Sequence, residues 1–173
     1  MESVSFNTLT FDHPAACRPA TLSASLHLPE RPAGPSPCMV ILTSSAGVQR
    51  HREHYYADLL SQAGVAALII DSFTGRGVRR TVADQTLVSA AQMEGDAFAA
   101  LALLRSDPRI DPVRIGIMGV SKGGVAPFDG ETARRIVEVA DRHVDELELV
   151  RLTEFQVLRR HRSDHHLFDG AGG

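Results

Sequence analysis

The spacing of apolar positions changes along this chain, and each change marks a new element. Thr21-Leu22-Ser23-Ala24-Ser25-Leu26-His27-Leu28 alternates with period two, which predicts a half-buried antiparallel strand. The connector RPAGPSP (31–37) follows, and Cys38-Met39-Val40-Ile41-Leu42 is then apolar without interruption. A continuous run of that length suits a parallel strand covered on both faces. Residues 50–63 have helical spacing and stop at Gly64; Val65–Ile70 is a second continuous run, closing on Asp71. After the polar loop SFTGRGVRR (72–80), the spacing predicts a helix over 85–105, with Leu87, Ala91, Phe98, Leu101 and Leu104 along its apolar stripe. Ser106-Asp107-Pro108 ends it, and Arg114-Ile115-Gly116-Ile117-Met118 is a third buried strand running towards Ser121.

Strand, helix, strand, helix, strand in this order predicts an α/β fold with a mostly parallel, doubly wound sheet. The character changes near residue 126. Ala133, Ile136, Val137, Ala140, Val144 and Leu147 keep helical spacing, which favours a helix over at least 131–146. Between Leu147 and Val157 the pattern also accommodates a strand. The expected organisation is a core over 1–126 and an atypical, mainly helical segment of the same domain over 127–173, with frayed glycines at its end.

Composition narrows the function classes. The 173 residues are 43% apolar and 23% charged, with a formal net charge of −3, so no overall field favours nucleic acid or an anionic membrane. Tryptophan is absent and aromatics make up 5%, leaving little surface for stacking bases. The first residues lack the basic and apolar regions of a secretory leader, and no apolar run is long enough to span a bilayer. Cys17 and Cys38 match neither a disulfide framework nor a zinc motif, and Cys38 reads as a small buried hydrophobe. A cytoplasmic protein acting on a small molecule, without nucleic-acid or membrane partners, is the expectation.

The candidate chemistry lies at Gly119-Val120-Ser121-Lys122-Gly123, a G-x-S-x-G sequence directly after the third buried strand. A serine hydroxyl is a weak nucleophile until a base, a group orienting that base and oxyanion donors surround it. A sharp strand-to-helix turn lifts the hydroxyl above the sheet, and flanking glycines let strand and helix approach closely. The N–H of the following residue then faces the developing oxyanion. The alternative is a tight turn without chemistry. A second donor is expected from the small, hydroxyl-rich loop Thr43-Ser44-Ser45-Ala46-Gly47-Val48, which as a bare sequence also reads as an ordinary turn.

Together, CMVILTSSAGV, AGVAALIIDSFTGRGV, AAQMEGDAFAALALLRSDPRID and RIGIMGVSKGG, in this order over residues 38–126, resemble the dienelactone hydrolase family of α/β-hydrolases. The resemblance implies an α/β-hydrolase-like sheet and cofactor-free hydrolysis of an ester or lactone by a nucleophile–His–acid triad. It implies Ser121 as nucleophile, the backbone N–H groups of Ser45 and Lys122 as oxyanion hole, and Arg76 near the position that holds a substrate carboxylate. The named enzymes of that family use a cysteine nucleophile and an oxyanion-loop glutamate, where this chain has Ser121 and Ser44. A serine esterase is therefore the better reading than the dienelactone activity itself.

Only residues 122–173 follow the serine, whereas one strand–helix repeat takes about 30 residues. Pro127 interrupts the helix that should continue behind the turn. The expectation is thus a fold truncated after the elbow. His165-His166-Leu167-Phe168-Asp169 resembles the surroundings of the family's catalytic histidine and makes His166 the candidate base, with Asp141, Asp145 or Asp164 as the acid. The rival reading is a catalytically silent family member serving as an interaction module, able to pair with a second copy through an open sheet edge. No metal site is expected. His51 and His54 with Glu53 lack a third ligand and read as exposed polar residues, and Asp164-His165-His166 reads as a solvated tail. The Gly75-Arg76-Gly77 loop lacks phosphate-loop spacing.

Overall fold

A computed structural model of the chain describes residues 1–13, 16–125, 147–151 and 156–160. Its elements are β1 (Glu2–His13), β2 (Ala16–His27), β3 (Ser36–Leu42), a π turn over Arg50–His54 leading into α1 (Tyr55–Gln62), β4 (Ala66–Asp71), α2 (Ala90–Ser106), β5 (Ile110–Gly119), the short α3 (Lys122–Val125), β6 (Leu147–Arg151) and β7 (Gln156–Arg160). They form one sheet in the order β1-β2-β4-β3-β5-β7-β6. The central strands β4, β3 and β5 are parallel, with Val40 opposite Leu68 on one side and Ile117 on the other. The remaining pairs, β1 with β2, β2 with β4, β5 with β7 and β6 with β7, are antiparallel, so the sheet is mixed around a parallel centre.

The continuous apolar runs of β3 and β4 have the cause expected of them. Their alternate residues enter two cores. Val40, Leu42, Leu68 and Ile70 join Leu22, Leu26, Phe73, Met93, Ala97, Ala100 and Leu104 on the α2 side. Ile41, Ala67 and Ile69 pack with Ala57, Tyr56 and Leu60 on the α1 side. Fully burying one such side chain contributes about 1.5–3 kcal/mol, so these central strands carry much of the stability.

Three elements differ from the sequence reading. The periodicity of β1 went unread: this edge strand buries Phe6, Thr8 and Thr10. Helix α2 starts five residues later than expected, because Ser89 caps it: its hydroxyl accepts from the Gln92 N–H while the Gln92 side chain accepts from the Ser89 N–H. Leu87 consequently lies outside the helix at 52% exposure, and the buried stripe is Met93, Ala97, Ala100 and Leu104 together with Gln92 and Asp96. In the C-terminal segment, 147–151 and 156–160 are strands, the alternative that the pattern accommodated; the helix expected over 131–146 lies outside the described residues.

Candidate active site

The parallel strands β3 and β5 end side by side, with Leu42 opposite Gly119 in the register, and the G-x-S-x-G sequence turns directly above that edge. The Val120 N–H donates to the Leu42 carbonyl at 3.2 Å, and Gly123 and Gly124 donate to the carbonyls of Val120 and Ser121 at 3.0 and 2.9 Å. Both glycines of the sequence are needed for this path. A β-carbon on Gly119 would overlap the backbone of Gly123, and one on Gly123 would lie 2.5 Å from the Leu42 carbonyl oxygen and 2.7 Å from that of Thr43. Such distances are closer than real contacts allow, so strand, turn and helix meet this tightly only without side chains at these two positions.

Ser121 itself has φ +53° and is the one non-glycine residue with positive φ among the described residues. This left-handed conformation is costly for an ordinary L-residue, on the order of 1–3 kcal/mol, and such outliers gather at functional sites. Ser121 is exposed, and among the described residues its hydroxyl makes no hydrogen bond. Lys122 opens α3; its side chain turns away to the segment 81–85, where Nζ donates to the Gln85 carbonyl at 2.6 Å and to the Thr81 hydroxyl at 3.3 Å. Burial pushes the Lys122 ammonium below its ordinary pKa, with Asp84 opposing the shift.

Beside this turn runs the loop after β3. Thr43 and Ser44 are buried, and the Ser45 carbonyl accepts from the Thr81 N–H at 2.7 Å. Gly47, at φ +79°, passes so close to Arg79 that a β-carbon would lie 2.9 Å from the Arg79 carbonyl oxygen. At the base of the loop sits Glu53, which the sequence reading left as one of a group of exposed polar residues. It is 0% exposed and accepts hydrogen bonds from Thr43, Ser44, Gln49 and Arg52. The signal available was its spacing: Glu53 stands four residues before buried Ala57 and seven before Leu60, on the inward face of the helix.

The expected residues fall into three groups. Ser121 and Lys122 lie at the turn after β5, and Ser45 lies in the loop after the neighbouring strand β3. Arg76 does not face that space as a substrate anchor would. Its side chain is 3% exposed and binds Asp96 through two parallel hydrogen bonds of 2.7 and 2.8 Å, with further contacts to the Thr10 hydroxyl and the Ser72 carbonyl. The guanidinium pins the β1–β2 hairpin to α2, and this structural position corrects the substrate-binding expectation. His166, Asp141, Asp145 and Asp164 lie outside the described residues.

Away from this edge, His27 Nδ1 is 3.2 Å from Asp58 and its Nε2 is 3.2 Å from His54 Nδ1. His54 is therefore half-buried and partnered, whereas His51 is exposed. Among the described residues no group of three or more His, Cys, Asp or Glu side chains could hold a metal ion. No helix among them is long and apolar enough to cross a membrane.

A left-handed serine thus stands on a glycine-flanked strand–turn–helix connection at the carboxyl edge of parallel strands. Comparison with solved structures bears on the fold that carries it. The chain is similar to the dienelactone hydrolase-like promiscuous phosphotriesterase P91 from metagenomic libraries, at TM-score 0.53 and 22% identity over 72% of this chain and 52% of P91. It is also similar to the α/β hydrolase GrgF from Penicillium sp. sh18, at TM-score 0.54 and 13% identity over 87% of this chain and 58% of GrgF. A third likeness is to DcsB in complex with its substrate analogue, at TM-score 0.53 and 12% identity over 86% of this chain and 57% of DcsB. No protein-family model and no curated protein sequence matches the chain. The fold is that of the α/β-hydrolases, and the chain spans a little over half the length of these relatives.

Proposed function

We propose that the chain carries the nucleophile and oxyanion half of a serine-dependent hydrolase acting on a carboxylic ester or lactone. The observation that supports this most directly is Ser121 at φ +53°, exposed, between two glycines that admit no side chain. In the proposed reaction the Ser121 hydroxyl attacks the carbonyl carbon, passing its proton to a base, and the carbonyl oxygen becomes an oxyanion. Collapse of that intermediate expels the alcohol and leaves an acyl-serine, which water hydrolyses in the reverse sense.

The N–H groups of Ser45 and Lys122 are the proposed oxyanion donors: among the described residues neither donates a hydrogen bond, Lys122 directly follows the serine, and Ser45 lies in the loop after the adjacent strand β3. Two such donors stabilise the intermediate strongly, since losing one lowers kcat on the order of 10²–10³-fold. His166 remains the proposed base, with Asp141, Asp145 or Asp164 as its partner.

A fluorophosphonate probe tests the reading, because it phosphonylates only an activated serine. Wild-type protein is expected to label and Ser121→Ala is not. Folded wild type that fails to label overturns the reading and leaves the silent interaction module in its place. Labelling that survives His166→Ala removes that histidine from the mechanism.

A further inference from the structure

We propose that Glu53 is a positioning residue that holds the oxyanion loop in its working shape, an assignment that rests on the serine-hydrolase reading. Four donors converge on its carboxylate. Oε1 accepts from the Thr43 hydroxyl at 3.1 Å, from Arg52 Nε at 2.9 Å and, more weakly, from the Ser44 N–H at 3.4 Å. Oε2 accepts from the Gln49 N–H at 2.7 Å. Thr43 and Ser44 lead directly to Ser45, whose N–H is the proposed donor, and Gln49 lies beyond Gly47 at the far end of the same loop. One side chain thus grips both ends of the segment 43–49.

The rest of the loop supports this division of labour. Arg52 ties the carboxylate to the turn by donating Nη2 to the Gly47 carbonyl at 3.1 Å, and Gln49 Nε2 donates to the Ala46 carbonyl at 3.0 Å. Contacts from Glu53 and its neighbours therefore reach Thr43, Ser44, Ala46, Gly47 and Gln49, while the Ser45 N–H stays unengaged among the described residues. A carboxylate's two oxygens offer several acceptor positions, so these four donors are met at once. The position of an oxyanion donor matters at the scale of tenths of an ångström, and the group that fixes it acts on kcat rather than on substrate binding.

Glu53→Gln keeps the shape of the side chain but replaces one acceptor with an NH2 group that faces donors. With p-nitrophenyl acetate as substrate, this variant is expected to lose about 10–100-fold in kcat with KM unchanged within about twofold, up to the scale of a reacting group displaced by about 1 Å. Thr43→Val removes a single donor and is expected to show a smaller fall of the same kind. Amide exchange over 43–49 is expected to quicken in both while the rest of the sheet keeps its protection. If Glu53→Gln does not fold, Thr43→Val decides, and a wild-type kcat in whichever variant folds overturns the assignment. A fall confined to KM also overturns it. Wild-type turnover that does not depend on Ser121 overturns the hydrolase reading and this assignment together; Ser121-dependent turnover indifferent to Glu53 and Thr43 overturns the assignment alone.

Discussion

The backbone of Gly123 occupies the space that a side chain on Gly119 would need. The same holds one step on, where Gly123 lies against the carbonyls of Leu42 and Thr43. These contacts are backbone on backbone, so no side chain can swing aside to relieve them. Gly119→Ala and Gly123→Ala are each expected to lower the melting temperature by about 10 °C, since 1 kcal/mol moves it by about 2–4 °C in a chain of this size. Thermal unfolding followed by circular dichroism measures this. Gly34 and Gly95, whose β-carbons would meet nothing, serve as controls expected to move little.

The left-handed backbone at Ser121 predicts a stability difference between two of its variants. Ser121→Gly and Ser121→Ala both remove the hydroxyl, yet only glycine adopts φ +53° freely. The glycine variant is expected to be more stable than the alanine variant by about 1 kcal/mol, and neither is expected to label with a fluorophosphonate. Urea unfolding of the two side by side checks it, and equal midpoints would remove the claim that the turn is strained.

The pair Arg76–Asp96 predicts a large stability effect away from the serine. Both side chains are buried, so Arg76→Ala leaves a carboxylate facing Thr8 without its counter-charge. Breaking a buried pair in this way is expected to destabilise by about 3–5 kcal/mol. Arg76→Met combined with Asp96→Leu is expected to recover part of that loss, because no orphaned charge remains. Denaturant unfolding of the single and double variants measures both.

His27 gives the pH dependence its sign. Burial is the largest influence and holds its pKa below 6.5; Asp58 pulls the other way, while His54 and the N-terminal amine add to the depression. The unfolded chain therefore takes up a proton before the native one as pH falls through 6.5, and stability declines below that point. It is fully present above it. The urea midpoint is expected to rise between pH 5 and pH 7, with a flatter rise in His27→Gln.

The sequence reading succeeded where one physical rule acted alone. Residues 38–42 and 66–70 are apolar throughout because both faces are covered, and the tight turn after β5 was legible because Gly119 and Gly123 leave no room for a side chain. It failed where polar residues do structural work inside. Strand β1 shows inward-facing threonines at 8 and 10, which look solvated until Asp96 and Arg76 are seen to bind them. Asp96 and Gln92 interrupt the apolar stripe of α2 for the same kind of reason, one as a salt-bridge partner and the other as part of the cap. Glu53 sits among charged neighbours, and only its spacing to Ala57 and Leu60 sets the acid that turns inward apart from the rest of RHREH. Thr8 and Thr10 meet partners far away in sequence, whereas Gln92 and Glu53 meet partners near in the chain through turns and caps that apolar periodicity does not encode.

Long-range contacts also surround Ser121. The lysine beside it grips residues 41 and 37 positions earlier in the chain, and the loop opposite is tied to Thr81. Contacts of such long range are expected to form only once the central strands have docked, which would make the surroundings of Ser121 a late product of folding. During refolding, recovery of probe labelling should lag behind recovery of helical signal, and Ser121 would then report completion of the whole sheet edge rather than formation of its own turn.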